Sequence, residues 1–122
     1  MKTVTPALVA VVLAILYFLF GFHPIWDIDV FWHIEAGRWV FDHRTLPTTD
    51  IFSAVDGTRE WTTFQWLYEV VVYLFDQAVG LTGVRALHAG LCAAAIGWWA
   101  WWLGRRHGVA VGAFGASVLM VL

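Results

Sequence analysis

Trp26-Asp27-Ile28-Asp29-Val30-Phe31-Trp32-His33-Ile34-Glu35-Ala36-Gly37-Arg38-Trp39 separates two apolar runs and decides how the chain is read. It gathers carboxylates, an imidazole, a glycine and tryptophans just past the first run. Upstream, Ala7 to Phe22 is almost wholly apolar, and the run reaches Trp26 if His23 and Pro24 sit in a membrane interface. About 20 apolar residues span a bilayer, so residues 7–26 predict a transmembrane helix. The run closes on bulky Tyr17-Phe18-Leu19-Phe20-Gly21-Phe22 rather than on small residues. That favours an uncleaved anchor over a secretory signal peptide.

Composition agrees with a membrane setting. The chain has 122 residues, 61% hydrophobic and 13% charged, against about 25% charged in ordinary soluble domains. Its mean hydropathy is +0.72. The nine tryptophans suit a protein with membrane–water interfaces, where Trp collects. A net charge of -2, with no basic cluster larger than Arg105-Arg106, gives no footing to nucleic-acid binding. Cys92 is the single cysteine, which excludes an intrachain disulfide and a CxxC site.

Outward from the opening stretch, residues 27–61 read as a polar loop. Pro24 disfavours helix at Phe22-His23. Asp29 is expected to cap a short helix running to about His43, since Asp is a favoured N-cap residue. Asp29 and His33, four apart, share one face of it. Ala36 and Gly37 continue that side and would let another backbone come close, while Phe31, Ile34, Arg38 and Phe41 point elsewhere. The helix is predicted to lie in the interface plane. His43 to Thr49 reads as a turn, Ile51 to Ala54 as a second short element, and Asp56-Gly57 as another turn.

Residues 62–79 predict a second span. Gln65, Glu69, Val72 and Asp76 fall on one stripe at helical spacing. Such a stripe must face a protein interior or a water-filled cavity. Glu69 is therefore either a functional group within the span or a side chain snorkelling to the interface. Residues 80–83 read as a tight connection, and 84–103 as a third span. Ala86, Gly90, Ala93, Ala94 and Gly97 line one side of that span for close helix packing. Trp98, Trp99, Trp101 and Trp102, then Arg105 and Arg106, mark its interface. Residues 109–122 begin a further apolar helix, so the chain is expected to be the amino-terminal part of a longer polytopic protein. The expected fold is thus all-α and polytopic: transmembrane helices with a helical first loop.

Charge bears on which side of the membrane that loop faces. Three crossings put Lys2 and Arg85 on one side, and Arg38, Arg44, Arg59, Arg105 and Arg106 on the other. The positive-inside rule would then place the long loop in the cytoplasm.

Asp27-Ile28-Asp29 is an Asp-x-Asp pair, a source of hard oxygen ligands for Mg²⁺ or Mn²⁺ that bridge phosphate oxygens. One of its carboxylates can instead take a proton from an acceptor. The order Asp27-x-Asp29, Trp32-His33, Gly37, Pro47-x-x-Asp50, Phe52-Ser53, Trp61 and Trp66-Leu67-x-Glu69 resembles the start of membrane-embedded GT-C glycosyltransferases. It looks most like relatives of the oligosaccharyltransferase catalytic subunit and the protein mannosyltransferases. The likeness covers about residues 7–105. It implies a first loop facing the periplasm or exterior at the inner (plasma) membrane. It implies a polyprenyl-phosphate-linked sugar donor, with the acceptor left open. On that likeness Asp29 is the catalytic or metal-binding acid and Asp27 its helper. His33, Glu69 and Asp50 are expected to bind substrate. The alternative is a non-catalytic scaffold or transport subunit whose loop binds a partner. No Gly-x-Ser-x-Gly, His-Glu-x-x-His or phosphate-loop pattern is present.

Overall fold

A computed structural model describes the backbone of residues 4–121 and the side chains of residues 4–119. Among these residues the chain is all-α, with α1 (Pro6–Gly21), α2 (Asp29–His43), α3 (Trp66–Val79), α4 (Leu81–His107) and α5 (Val109–Val121). It divides into two compact units. One holds residues 25–84; the other holds the segment up to Pro24 together with residues 85 onward.

In the latter unit, α1 starts on a cap. The Thr5 hydroxyl accepts from the Leu8 N–H at 3.3 Å, and Pro6 takes the first helical position, where no N–H is needed. The helix stops at Gly21, short of the expected residue 26. Pro24 disfavours the helical region at His23, and residues 22–27 have no regular structure. The carbonyls left open at that end are met by Arg85. Its Nε donates to His23 O at 2.8 Å and its Nη2 to Phe22 O at 2.9 Å, with the guanidinium 4.3 Å from the Phe22 ring centre. A cation at a helix C-terminus is also favoured by the backbone dipole.

Small residues bring the helices of this unit together. Ala10, Ile96, Ala100 and Ala116 form its core, with Leu13 and Tyr17 against them. A β-carbon on Gly97 would stand 3.0 Å from Ala14 Cβ, and one on Gly112 would stand 2.5 Å from Ala100 O. The buried line on α4 runs Ala89, Ala93, Ile96, Gly97, Ala100 and Gly104. It shares Ala93 and Gly97 with the expected stripe. Ala94 is exposed instead, and Gly90 meets nothing within 4 Å.

The connections are shorter than expected. Gly80, at φ 67°, breaks α3 from α4 by itself, so α4 begins at Leu81 rather than 84. Gly108, at φ 97°, separates α4 from α5, and α4 therefore runs on through Arg105 and Arg106 to His107. Both need the left-handed freedom that lacks a β-carbon penalty. At 27 residues, α4 is long and apolar enough to cross a membrane, and it is the one described helix that is. Its length is about 40 Å at 1.5 Å per residue, against roughly 30 Å of hydrocarbon. Helices α1 and α5 are apolar but have 16 and 13 residues.

In the unit of residues 25–84, α2 packs along α3. The buried side of α2 is Val30, Ala36, Gly37 and Val40; that of α3 is Glu69 and Val72. A β-carbon on Gly37 would overlap the Glu69 carbonyl and lie 3.0 Å from Tyr73 Cβ. The close approach expected at Ala36-Gly37 is thus made, by α3. Arg44, in the left-handed region at φ 57°, ends α2. The segment after it folds back on itself. Asp50 N–H donates to Arg59 O at 2.9 Å and Trp61 N–H to Thr48 O at 3.0 Å, around an antiparallel bridge between Thr49 and Glu60. The second short element expected at 51–54 is a set of bends, because side chains of Asp50 and Ser53 hold its backbone groups. The second span, expected from residue 62, becomes helical only at Trp66.

Candidate functional site

The packing of α2 on α3 creates the one buried charged side chain among the described residues. Glu69 has 1% of its surface exposed, since Gly37 lets the α2 backbone sit directly over it. His33, from α2, places Nδ1 3.3 Å from Glu69 Oε1 and 3.3 Å from Gln65 Nε2. An imidazole Nδ1 offers one hydrogen or one lone pair. It therefore serves the carboxylate or the amide at a given moment. The ring is held by neighbours on both sides: Trp32 at 3.7 Å and Tyr68, edge-on, at 5.4 Å between ring centres.

A cavity of about 450 Å³ opens beside this cluster. It is lined by Trp32, Trp61 and Phe64, by Thr63 and Gln65, and by Arg59, Glu60 and Glu69 among others. Trp32 and Trp61 meet at 6.1 Å and 88°, and Phe52 packs edge-on against each. Two side-chain oxygens of residues that line it, Glu69 Oε2 and Thr63 Oγ1, are buried without a hydrogen-bond partner. Buried polar atoms are usually paired, so each such atom asks for an explanation.

The residues expected to share a site divide in two. His33 and Glu69 come together, with Gln65. Asp27 and Asp29 are exposed and do not line the cavity. Asp29 is also not the cap. It is the first residue of α2, Ile28 takes the cap position with no side-chain cap, and the Asp29 N–H donates to Asp27 Oδ1 at 2.9 Å. Asp50 Oδ1 accepts from the Phe52 and Ser53 N–H groups at 2.9 and 3.1 Å, shaping the loop. Thr63, Trp61 and Arg59 were not anticipated as site residues. The signal available in the sequence was the run Trp61-Thr62-Thr63, aromatic and hydroxylic, directly before the polar stripe of α3.

Other charges belong to the exposed surface. Arg38 Nη2 lies 2.6 Å from Glu35 Oε1, and Arg38 Nε donates to both Glu35 oxygens at 2.8 Å. That hydrogen bond, against a small opposing effect of burial, holds the Glu35 carboxyl below its ordinary range. The Thr58 hydroxyl and N–H do the same for Asp56.

As to metal, no group of three or more His, Cys, Asp or Glu side chains gathers among the described residues. Asp27 and Asp29 offer two exposed carboxylates, one oxygen of which already accepts from the Asp29 N–H. Mg²⁺ accepts such a pair when phosphate oxygens and water complete its shell. The donor type fits an ion shared with a phosphate ligand.

No protein-family model matches this chain, and no curated protein or solved structure does.

Proposed function

We propose that this chain is part of a polytopic membrane enzyme that transfers a sugar from a polyprenyl-phosphate-linked donor at the outer face of the plasma membrane. One observation carries the reading: α2, which begins at the Asp27-Asp29 pair, covers the polar stripe of α3 and buries Glu69 against His33. An ionisable group sequestered on an apolar helix and held by an imidazole is a functional candidate by default.

In this reading α4 crosses the bilayer, and α1 and α5 cross with help from flanking interfacial residues. Asp29 lies one helical turn before His33 on the same face of α2. Its exposure leaves the carboxylate open to a substrate arriving at the membrane surface, where it acts as base. Asp27 fixes the start of α2 and, with Asp29, would hold Mg²⁺ or Mn²⁺ through the donor's phosphate. His33, held by Glu69, binds substrate, and Asp50 keeps the loop beside them in shape. The metal would supply charge neutralisation at the phosphate; the side chains orient and move the proton.

The test is transfer of labelled sugar from a polyprenyl-phosphate donor by membranes holding the protein. Asp29→Ala is expected to abolish transfer at unchanged protein level. Full turnover in that variant would remove Asp29 from the mechanism.

The exposure of both aspartates favours one second reading, a scaffold or transport subunit whose loop binds a partner. There, Asp27→Asn and Asp29→Asn pass without consequence.

A further inference from the structure

The cavity between Trp32 and Trp61 presents an unbalanced charge. Glu69 is 1% exposed; one of its oxygens meets His33, and the other meets nothing. Burying a carboxylate is costly unless it is paired and hydrogen-bonded. Within the chain the pairing is incomplete. His33 Nδ1 divides its attention between Glu69 and Gln65. Arg59 lines the same cavity but forms no ion pair with Glu69 among the described residues. The missing partner is thus a positive group that brings its own N–H donors.

The surroundings narrow the class. We infer that this cavity binds a primary ammonium group, with Glu69 as its counter-ion and Thr63 as a second acceptor. Three observations converge on it. Thr63 Oγ1 is also buried and unpartnered, and Thr63 lines the same cavity, so a second acceptor there stands without a donor. Trp32 and Trp61 wall the cavity at 88° to one another, and indole faces attract cations. The volume of about 450 Å³ falls within the range of small-ligand sites, about 300–1,000 Å³. A quaternary ammonium has no N–H for either oxygen. A guanidinium is planar and broad, whereas both acceptors are out of contact with bulk water. An anion would meet Glu60 and Glu69 together. A polyol supplies hydrogen bonds but leaves the carboxylate charge unbalanced.

This goes beyond the transfer reading, and its test needs no turnover, so the two can fail separately. The probe is propylammonium chloride, titrated by calorimetry into the full chain in micelles at constant ionic strength. The matched neutral probe is 1-propanol, and the matched quaternary probe is tetramethylammonium. Saturable binding of propylammonium alone is expected. Glu69→Gln should weaken it roughly tenfold or more, the worth of one charge-assisted hydrogen bond. Glu69→Asp, which keeps the charge, should retain part of it. Equal binding of 1-propanol overturns the inference, as does the absence of saturable propylammonium binding. Undiminished binding by Glu69→Gln does the same. If that variant does not fold, the comparison of the three probes on the unaltered chain still decides.

Discussion

Gly37→Ala is the most direct probe of how the site is built. The added methyl would overlap the Glu69 carbonyl, and it would stand 3.0 Å from Tyr73 Cβ. The obstacle is α3 backbone, which cannot swing aside as a side-chain tip can. Helices α2 and α3 must therefore separate by about 1 Å or more, enough to forfeit a quarter to half of each dispersion contact along the seam. Overpacking of this kind costs about 1–3 kcal/mol. The His33–Glu69 contact, already 3.3 Å, would pass out of hydrogen-bonding reach. A buried group that loses its partner costs about 1–3 kcal/mol more. Against this, alanine is better than glycine inside a helix by about 1 kcal/mol. The net expectation is a loss of about 1–5 kcal/mol. Gly90→Ala is the internal control. It is also helical, nothing lies within 4 Å of the new methyl, and it should be neutral or slightly stabilising. Circular-dichroism melts of the two variants in the same detergent make the comparison. Equal melting temperatures for Gly37→Ala and the parent would show that α2 does not lie on α3 as described.

Arg85→Ala should loosen the C-terminus of α1 by stripping two carbonyls of their donor, and Arg85→Lys should restore little, because a single ammonium cannot reproduce the fork; faster hydrogen exchange confined to the last turn of α1 is the readout. Asp27→Ala removes the carboxylate that accepts from the Asp29 N–H at the start of α2 and should cost about 0.5–1.5 kcal/mol in the same melts, the worth of one hydrogen bond, while Asp29→Ala should cost less, since its side chain accepts none of the helix-start N–H groups. Cys92 lies near the middle of α4 with its side chain exposed on the helix surface; if α4 crosses the bilayer, a water-soluble maleimide should label it slowly in intact membranes and quickly after solubilisation, and fast labelling in both would refute the crossing. Glu35 is held below its ordinary carboxyl range by Arg38, so its contribution to stability is present above the unfolded-state value near pH 4.3 and fades as pH falls through the lower folded value. The pair is about half exposed, so the effect should be small, and Glu35→Gln should flatten that acid limb of the stability–pH curve.

Much of the architecture is local and could be read directly. Helical content follows from runs of apolar residues with few breakers, and α2 occupies the stretch expected from Asp29 to His43. The polar stripe of α3 demanded an interior, and the small side chains Ala36 and Gly37 announced a close neighbour; both are consequences of the 3.6-residue period. Where expectation slipped, the cause was a feature only folding reveals. Periodicity marks which residues share a face but not which partner arrives, so the buried line on α4 fell on Ala89, Ile96 and Ala100 instead of on Gly90 and Ala94. A glycine in left-handed geometry ends a helix in one residue, which composition cannot distinguish from a longer turn at Gly80.

The site divides in the same way. That acids and an imidazole gather near the first loop, and that Glu69 is out of place on an apolar helix, is written in residue types alone. That His33 rather than Asp29 reaches Glu69, that one carboxylate oxygen is left without a donor, and that Trp61 and Thr63 close a cavity around it depends on residues about thirty positions apart meeting across Gly37. Those contacts are set by how two helix backbones approach, a distance that no single stretch of the chain encodes.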